Sequence, residues 1–272
     1  MAPYYIFMDI DGTLVDDNQQ ASPATINTID LLHQQGHRLF IATGRMLASA
    51  SLIANQISPY LEIVASNGAV VKTSSGVEKK LLGAAALHDI YQVGQATNLS
   101  AFLFTTQRVF YTKNLPSYFT QDTQNRVTGT GQQRFVHIDS AEALVKHRKS
   151  IVNGILISDN APKELKHARA ALTSLGTLST SSSAPNNIEL MPYQTDKATA
   201  IRRICEENQH SLDRTMAFGD GLNDLAMLQA VNVGVAMGNA ATTVKNAVPY
   251  LTHDNSHDGV ATFLNHYFGG QQ

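Results

Sequence analysis

Short apolar runs without charge alternate with longer amphipathic stretches over the first eighty residues. Residues 4–8, YYIFM, read as a strand buried on both faces. Ser22-Pro23 has the chemistry of an N-cap followed by a first-turn proline, and Gly36 closes the same segment. Between them Ile26, Ile29, Leu32 and His33 share one helical face. Residues 38–42 are predicted as a second strand, 46–56 as a helix and 61–65 as a third strand. Asn67-Gly68 then marks a turn, and 70–72 could pair with 77–81 across Ser74-Ser75-Gly76. Strand-helix-strand-helix-strand is the order of a parallel sheet with crossover helices.

The pattern changes after Leu82. Helices are predicted over 84–96, 140–147 and 161–175, and strands over 101–105, 108–112, 135–138, 151–157 and 177–180. Residues 115–127 are polar and weakly helical, and Thr128-Gly129-Thr130-Gly131 reads as a loop. The small polar run 179–183, followed by Ala184-Pro185-Asn186-Asn187, reads as a linker. Residues 84–185 are therefore predicted as an inserted α+β domain, with 1–83 and 186–272 forming the domain around it. Alternation then resumes. A strand over 188–191 leads to Asp196-Lys197 and a helix to residue 208. A strand at 215–218 follows, then a helix at 222–230, a strand at 233–237 and a helix at 241–247, with a closing helix at 260–267.

Composition narrows the picture. With 272 residues, 43% of them hydrophobic, the chain can bury one large core or two moderate ones. A net charge of -2 argues against a nucleic-acid footprint, and no apolar run approaches the ~20 residues that span a bilayer. The first residues enter a strand directly, which leaves no room for a signal peptide. The one cysteine, Cys205, forbids an intrachain disulfide and falls in a helical pattern as a small core residue. A soluble, cytoplasmic protein with no membrane or nucleic-acid partner is expected. The ten histidines show no zinc-binding spacing.

Candidate chemistry sits at the strand ends. Asp9 and Asp11 follow the first strand, and Gly12 permits a sharp turn away from it. Two carboxylates beside a buried strand call for an opposite charge, most simply a divalent metal. Thr43 follows the second strand, Lys197 opens a helix, and Asp220, Asn223 and Asp224 follow a late strand. In a doubly wound sheet such groups converge on one rim. Their types suit phosphoryl transfer. A Mg²⁺ held by Asp9 and Asp220 would offset the repulsion between carboxylate and phosphoryl group, Lys197 would add a point charge, and Thr43 a hydroxyl donor. A lysine at a helix start is disfavoured unless an anion sits there. Asp224 could instead be a first-turn acid, Asn67 only a turn residue, and Arg45 a structural partner of a core carboxylate.

These motifs resemble the haloacid dehalogenase-like hydrolases: Asp9-Ile10-Asp11-Gly12-Thr13, Thr43-Gly44-Arg45, Lys197, and Gly219-Asp220-Gly221-Leu222-Asn223-Asp224. Asn67-Gly68-Ala69, Ala236-Met237-Gly238-Asn239-Ala240 and Asp258-Gly259-Val260 narrow the resemblance to the Cof-type phosphatases; Ala198 departs from the glycine common there. The resemblance implies a Rossmann-like α/β core, its parallel sheet between helices, with an inserted α/β cap that governs specificity. It implies Asp9 as nucleophile and Asp11 as acid and base. It also implies Mg²⁺ on Asp9, the Asp11 carbonyl and Asp220, with Asn223 and Asp224 in support and Thr43, Gly44 and Lys197 on the phosphoryl group. The implied activity is hydrolysis of small phosphate esters, such as sugar phosphates, through an aspartyl-phosphate. A phosphomutase or a non-catalytic phosphometabolite sensor on the same fold stands as the alternative.

Overall fold

The structure is a computed structural model and describes residues 2–113, 135–158 and 161–269. β1 (Tyr5–Met8) is buried along its whole length, as an uncharged run in mid-sheet must be. α1 (Pro23–Gln34) begins with Ser22 accepting the Thr25 N–H and proline in the first turn. β2 (Arg38–Ala42), α2 (Leu47–Ile57) and β3 (Glu62–Ala65) follow, then a 3₁₀ turn at Ser66–Gly68 and the hairpin of β4 (Val70–Thr73) and β5 (Gly76–Lys79). Next come α3 (Gly83–Ala96), β6 (Ser100–Phe104), β7 (Val109–Tyr111), β8 (Phe135–His137), α4 (Ala141–Val145) and β9 (Asn153–Ile157). α5 (Pro162–Leu175), β10 (Leu178–Ser181) and β11 (Asn187–Pro192) complete that stretch. The chain returns through α6 (Lys197–Glu207), β12 (Thr215–Gly219), α7 (Leu225–Ala230), β13 (Val233–Ala236), α8 (Thr242–Lys245), β14 (Tyr250–Leu251) and α9 (Gly259–Gly269). The stretch 115–127 and the loop 128–131 singled out in the sequence lie outside the described residues.

The first sheet has the order β14-β13-β12-β1-β2-β3-β4-β5, parallel except for the terminal β3-β4-β5 meander. Side chains alternate across it. Ile6, Met8, Leu39 and Ile41 pack with Ile29 and Leu32 of α1, Ile53 of α2 and Leu264 of α9. Phe7, Phe40 and Ala42 pack with Ile201 and Ile204 of α6 and Leu228 of α7 on the opposite face. This is the predicted doubly wound α/β arrangement. From β1 the chain builds β2 and β3 to one side and later β12 to the other, so the strand order reverses at β1, where open α/β sheets form their ligand crevice.

The second sheet has the order β10-β11-β9-β6-β7-β8, antiparallel except for β7 with β8. Leu87 and Ile90 of α3, Leu144 of α4 and Leu172 of α5 pack on one face against Leu103, Leu156 and Leu190. The other face carries Phe102, Phe104, Tyr111, Phe135, Ile155 and Ile157 and meets Met46 of the first unit.

Strand pairing corrects one boundary. The sequence reading closed the inserted segment at Pro185 and gave the strand at 188–191 to the surrounding domain. That strand is β11, paired antiparallel with both β9 and β10. The expected linker is β10 and the turn after it. Serine and threonine suit the half-exposed edge strand β10 as well as they suit a connector, so composition alone could not separate the two. The return crossing lies at Tyr193-Gln194-Thr195, where Lys80 of the outgoing crossing donates to the Tyr193 carbonyl at 2.8 Å.

Candidate active site

β1, β2 and β12 end side by side, with Met8 in register with both Ile41 and Phe218. One residue further, the Asp9 N–H still donates to the Phe218 carbonyl at 3.1 Å, and the Thr43 N–H donates to Val64 at 2.8 Å. The ladders thus carry Asp9 and Thr43 to the rim before the backbone turns away. A cavity of about 620 Å³ opens there. Asp9, Asp11, Gly12, Thr43, Gly44, Asp220 and Asn223 line it from the first sheet's loops; Phe104, Ile155 and Glu189 line it from the second sheet, and Ser183 from the turn before β11.

Lys197 ties the strand ends together. It is the first residue of α6, which Asp196 caps in a reciprocal box with Thr199. Its ammonium is fully buried and donates to Asp9 Oδ1 at 2.9 Å and Asp224 Oδ1 at 2.6 Å. Burial alone would lower the lysine, but Asp224 and Asp9 outweigh it and hold the ammonium charged. Asp224 also accepts the N–H groups of Asp220 and Gly221 at 3.0 and 2.9 Å. Its carboxylate therefore braces the β12–α7 loop and the lysine rather than capping α7, for which no side-chain cap forms.

Asp220 faces Asp9. Thr13 Oγ1 donates to its Oδ1 at 3.3 Å, and Asn239 Nδ2 approaches its Oδ2 at 3.4 Å while donating to the Gly12 carbonyl at 2.8 Å. Gly12 has φ +73°, and a Cβ there would collide with the Asp220 carboxylate. Glycine is thus needed both for the turn and for the carboxylate's approach. Asn223 lines the cavity beside Gly221.

Asp11 does not join this group through its carboxylate. The side chain is half exposed and forms a bidentate pair with Arg45, whose guanidinium also bonds Gln19. Partial burial raises Asp11, but the hydrogen bonds and charge of Arg45 prevail and hold its carboxyl below the ordinary value. Arg45 does pair with a carboxylate, but with the half-exposed Asp11 rather than with one in the core.

The donors fit a hard divalent cation. Oxygens of Asp9, Asp220 and Asp224 can come within 4.8 Å of one another, against one lysine. Burial, with the nearby Asp224 carboxylate, pushes Asp9 up to about 8 and Asp220 up to about 6. Each gains from a cation that replaces the proton. Asp224 has both oxygens engaged by Lys197 and backbone N–H groups, which leaves Asp9 and Asp220 as the ligands that can turn to a metal.

Asn67, in the 3₁₀ turn after β3, is buried with φ 51° and donates through Nδ2 to Glu189 Oε2 at 3.0 Å. Its N–H bonds the Thr43 carbonyl at 3.0 Å, so it braces the Thr43-Gly44 turn. Sequence reasoning missed Glu189, Thr13, Gln19 and Asn239 as parts of the site. For Glu189 the signal was present: one acid inside the apolar run Ile188-Glu189-Leu190-Met191.

A family model described as haloacid dehalogenase-like hydrolase matches residues 6–264. The chain belongs to that family. The chain is 29% identical, over 98% of each sequence, to the 5-amino-6-(5-phospho-D-ribitylamino)uracil phosphatase YitU of Bacillus subtilis. It is 26% identical to the HMP-PP phosphatase of Yersinia pseudotuberculosis, over 95% of this chain and 93% of that protein. A haloacid dehalogenase-like hydrolase from B. subtilis superposes with a TM-score of 0.84 at 24% identity, covering 97% of this chain and 99% of that one. As a haloacid dehalogenase-like hydrolase with phosphatases as relatives along its length, the chain is an enzyme that hydrolyses phosphoric monoesters. Among the described residues no helix is long and apolar enough to cross a membrane.

Proposed function

We propose that this enzyme is a Mg²⁺-dependent phosphatase of small phosphorylated metabolites that works through an aspartyl-phosphate on Asp9. The observation that carries this reading is Asp9 itself, a nearly buried carboxylate at the end of the central strand. One of its oxygens is held by Lys197, and it opens onto a cavity that Asp220 also lines. Mg²⁺ on Asp9, Asp220 and the Asp11 carbonyl would supply the positive charge that lets a carboxylate approach a phosphoryl group. Asp9 then attacks phosphorus in line and the ester oxygen leaves as an alcohol. Lys197, the Thr43 hydroxyl and the Gly44 N–H bind phosphoryl oxygens, and Asn223 and Asp224 keep the β12–α7 loop in place. Asp11 protonates the leaving oxygen and then takes a proton from the water that cleaves the phospho-aspartate. The Arg45 pair holds Asp11 ionised, so that pair must open before Asp11 can act as an acid.

The second sheet is the cap, and its aromatic face selects the substrate. Relatives named for a phosphoribitylaminouracil and for HMP-PP support small phosphorylated organic molecules as the substrate class. A chain with a single buried cysteine and no membrane-length helix among the described residues fits a cytoplasmic setting. Acid quench during turnover should trap a phosphoryl group on the Asp9 peptide, and EDTA should stop phosphate release until Mg²⁺ is restored. Undiminished turnover by Asp9→Asn, or full activity in EDTA, would sink the reading.

A further inference from the structure

A carboxylate in the cavity wall is left over from the chemistry above. Glu189 lies in the middle of β11, 8% exposed, between neighbours that are all buried. Among the described residues no lysine, arginine or histidine makes a direct ion pair with it, although Arg169 and Lys197 act on it through charge at longer range. Its Oε2 accepts from Asn67 at 3.0 Å, and its Oε1 lies 3.4 Å from where a Cβ on Gly44 would stand. Burial raises its carboxyl; hydrogen bonding from Ser183, the charge of Lys197 and the Asn67 amide pull it back only in part.

Such a group is costly to keep. A buried carboxylate without a cation in direct contact is disfavoured, and this one stands next to a turn whose proposed ligand is itself an anion. Bracing Asn67 alone would need only a neutral acceptor, which glutamine supplies at the same volume. A carboxylate accepts hydrogen bonds and, when ionised, donates none, so it suits a ligand that brings a donor. On the same sheet face Ile155, in register with Glu189, and Phe104 offer only apolar surface, and Met46 offers the same from the first unit. A ligand that meets both the carboxylate and the apolar surface beside it has hydroxyls along one edge and C–H groups along another. That is the surface of a polyol or sugar chain.

We propose that Glu189 is a specificity-determining residue. Its carboxylate accepts a hydrogen bond from a hydroxyl on the carbon chain of the leaving group, and so selects polyol and sugar phosphates over esters lacking that hydroxyl. This rests on the phosphatase reading and extends it to a particular side chain. A site built to bond a hydroxyl rejects the analogue without it, because the buried acceptor is left unpaired.

The test compares kcat/KM for ribitol 5-phosphate with its mono-deoxy analogues, beside a generic aryl phosphate. In the wild type, removal of one particular hydroxyl should cost about 10- to 100-fold, the range for a hydrogen bond to a charged group. Glu189→Met removes the acceptor at similar volume, and the penalty at that position should fall below about threefold. Glu189→Gln keeps volume and an acceptor for Asn67, so it folds even if the methionine variant does not, and should show a reduced penalty. Equal losses on all substrates, with the deoxy penalty unchanged, would make Glu189 a structural brace and overturn the proposal. So would a wild type that hydrolyses the aryl ester but discriminates no deoxy position or ignores ribitol 5-phosphate. Absence of hydrolysis of every ester would remove the phosphatase reading and this proposal with it.

Discussion

Replacing Lys197 by methionine keeps the volume of a fully buried side chain and removes its charge. The ammonium makes two charge-assisted hydrogen bonds, at 2.9 Å to Asp9 and 2.6 Å to Asp224. Near pH 6 in metal-free protein Asp9 is largely protonated, because burial and Asp224 push it up to about 8. The substitution then strands one buried carboxylate, Asp224, which keeps its two backbone donors. Breaking a buried pair costs about 3–5 kcal/mol, and those donors place this case near about 3 kcal/mol. Near pH 9 Asp9 has ionised in the wild type, so the variant must bury two carboxylates with no cation, and the loss must be larger by linkage. Urea unfolding in EDTA at about pH 6 and about pH 9 would measure both values. A loss below about 1 kcal/mol at both pH values, or a larger loss at the lower one, would refute the account of Lys197 as the charge that holds the site together.

Three further outcomes are expected. Asp9 is raised in the metal-free protein, so its contribution to stability is complete below the unfolded value of 3.8 and is lost as pH rises through about 8. The melting temperature in EDTA should fall over that window, and the gain on adding Mg²⁺ should be greater near pH 8 than near pH 6; a pH-independent gain would contradict it. Gly12→Ala has to hold φ +73° with a methyl group against Asp220. It should lose about 1–2 kcal/mol and at least tenfold in Mg²⁺ affinity, read by unfolding and calorimetric titration, and wild-type affinity would count against the cradle. Excising residues 83–192 should leave a folded α/β unit, whereas excising 84–185 should aggregate, because it exposes the apolar β11 stripped of both partner strands. Equal solubility of the two deletions would argue against the boundary drawn from strand pairing.

The first unit was legible because its signals are local. Ser22-Pro23 caps a helix wherever it occurs, and uncharged runs such as residues 4–8 have nowhere to go but mid-sheet. Asp9, Lys197 and Asp220 stood out because each breaks a rule about charge at an element's end. The 185 boundary was hidden because it depends on which strands lie beside β11, a pairing that composition does not encode, whereas Glu189 was marked as an acid in an apolar run but its place in the cavity wall depends on that same pairing. The Asp11–Arg45 pair spans 34 positions; the arginine's need for a carboxylate was foreseeable, but which one was not. Gln19 is an ordinary loop residue by sequence, and Thr13 and Asn239, though inside the quoted motifs, acquire a role only through the carboxylate each one meets.

The strand period of two has an evolutionary consequence in the second sheet. Along β6, Ala101 and Leu103 face the helices while Phe102 and Phe104 face away; along β9, Leu156 faces the helices while Ile155 and Ile157 face away. Alternate positions of the same strands therefore answer to two separate selective pressures, one for folding and one for whatever molecule occupies the cavity. Substitutions on the outward set can accumulate without disturbing the helix-packed layer. Of the outward set Phe104 and Ile155 line the cavity, so a lineage can retune what it binds there, and orthologues with different metabolic roles should differ first at 104 and 155.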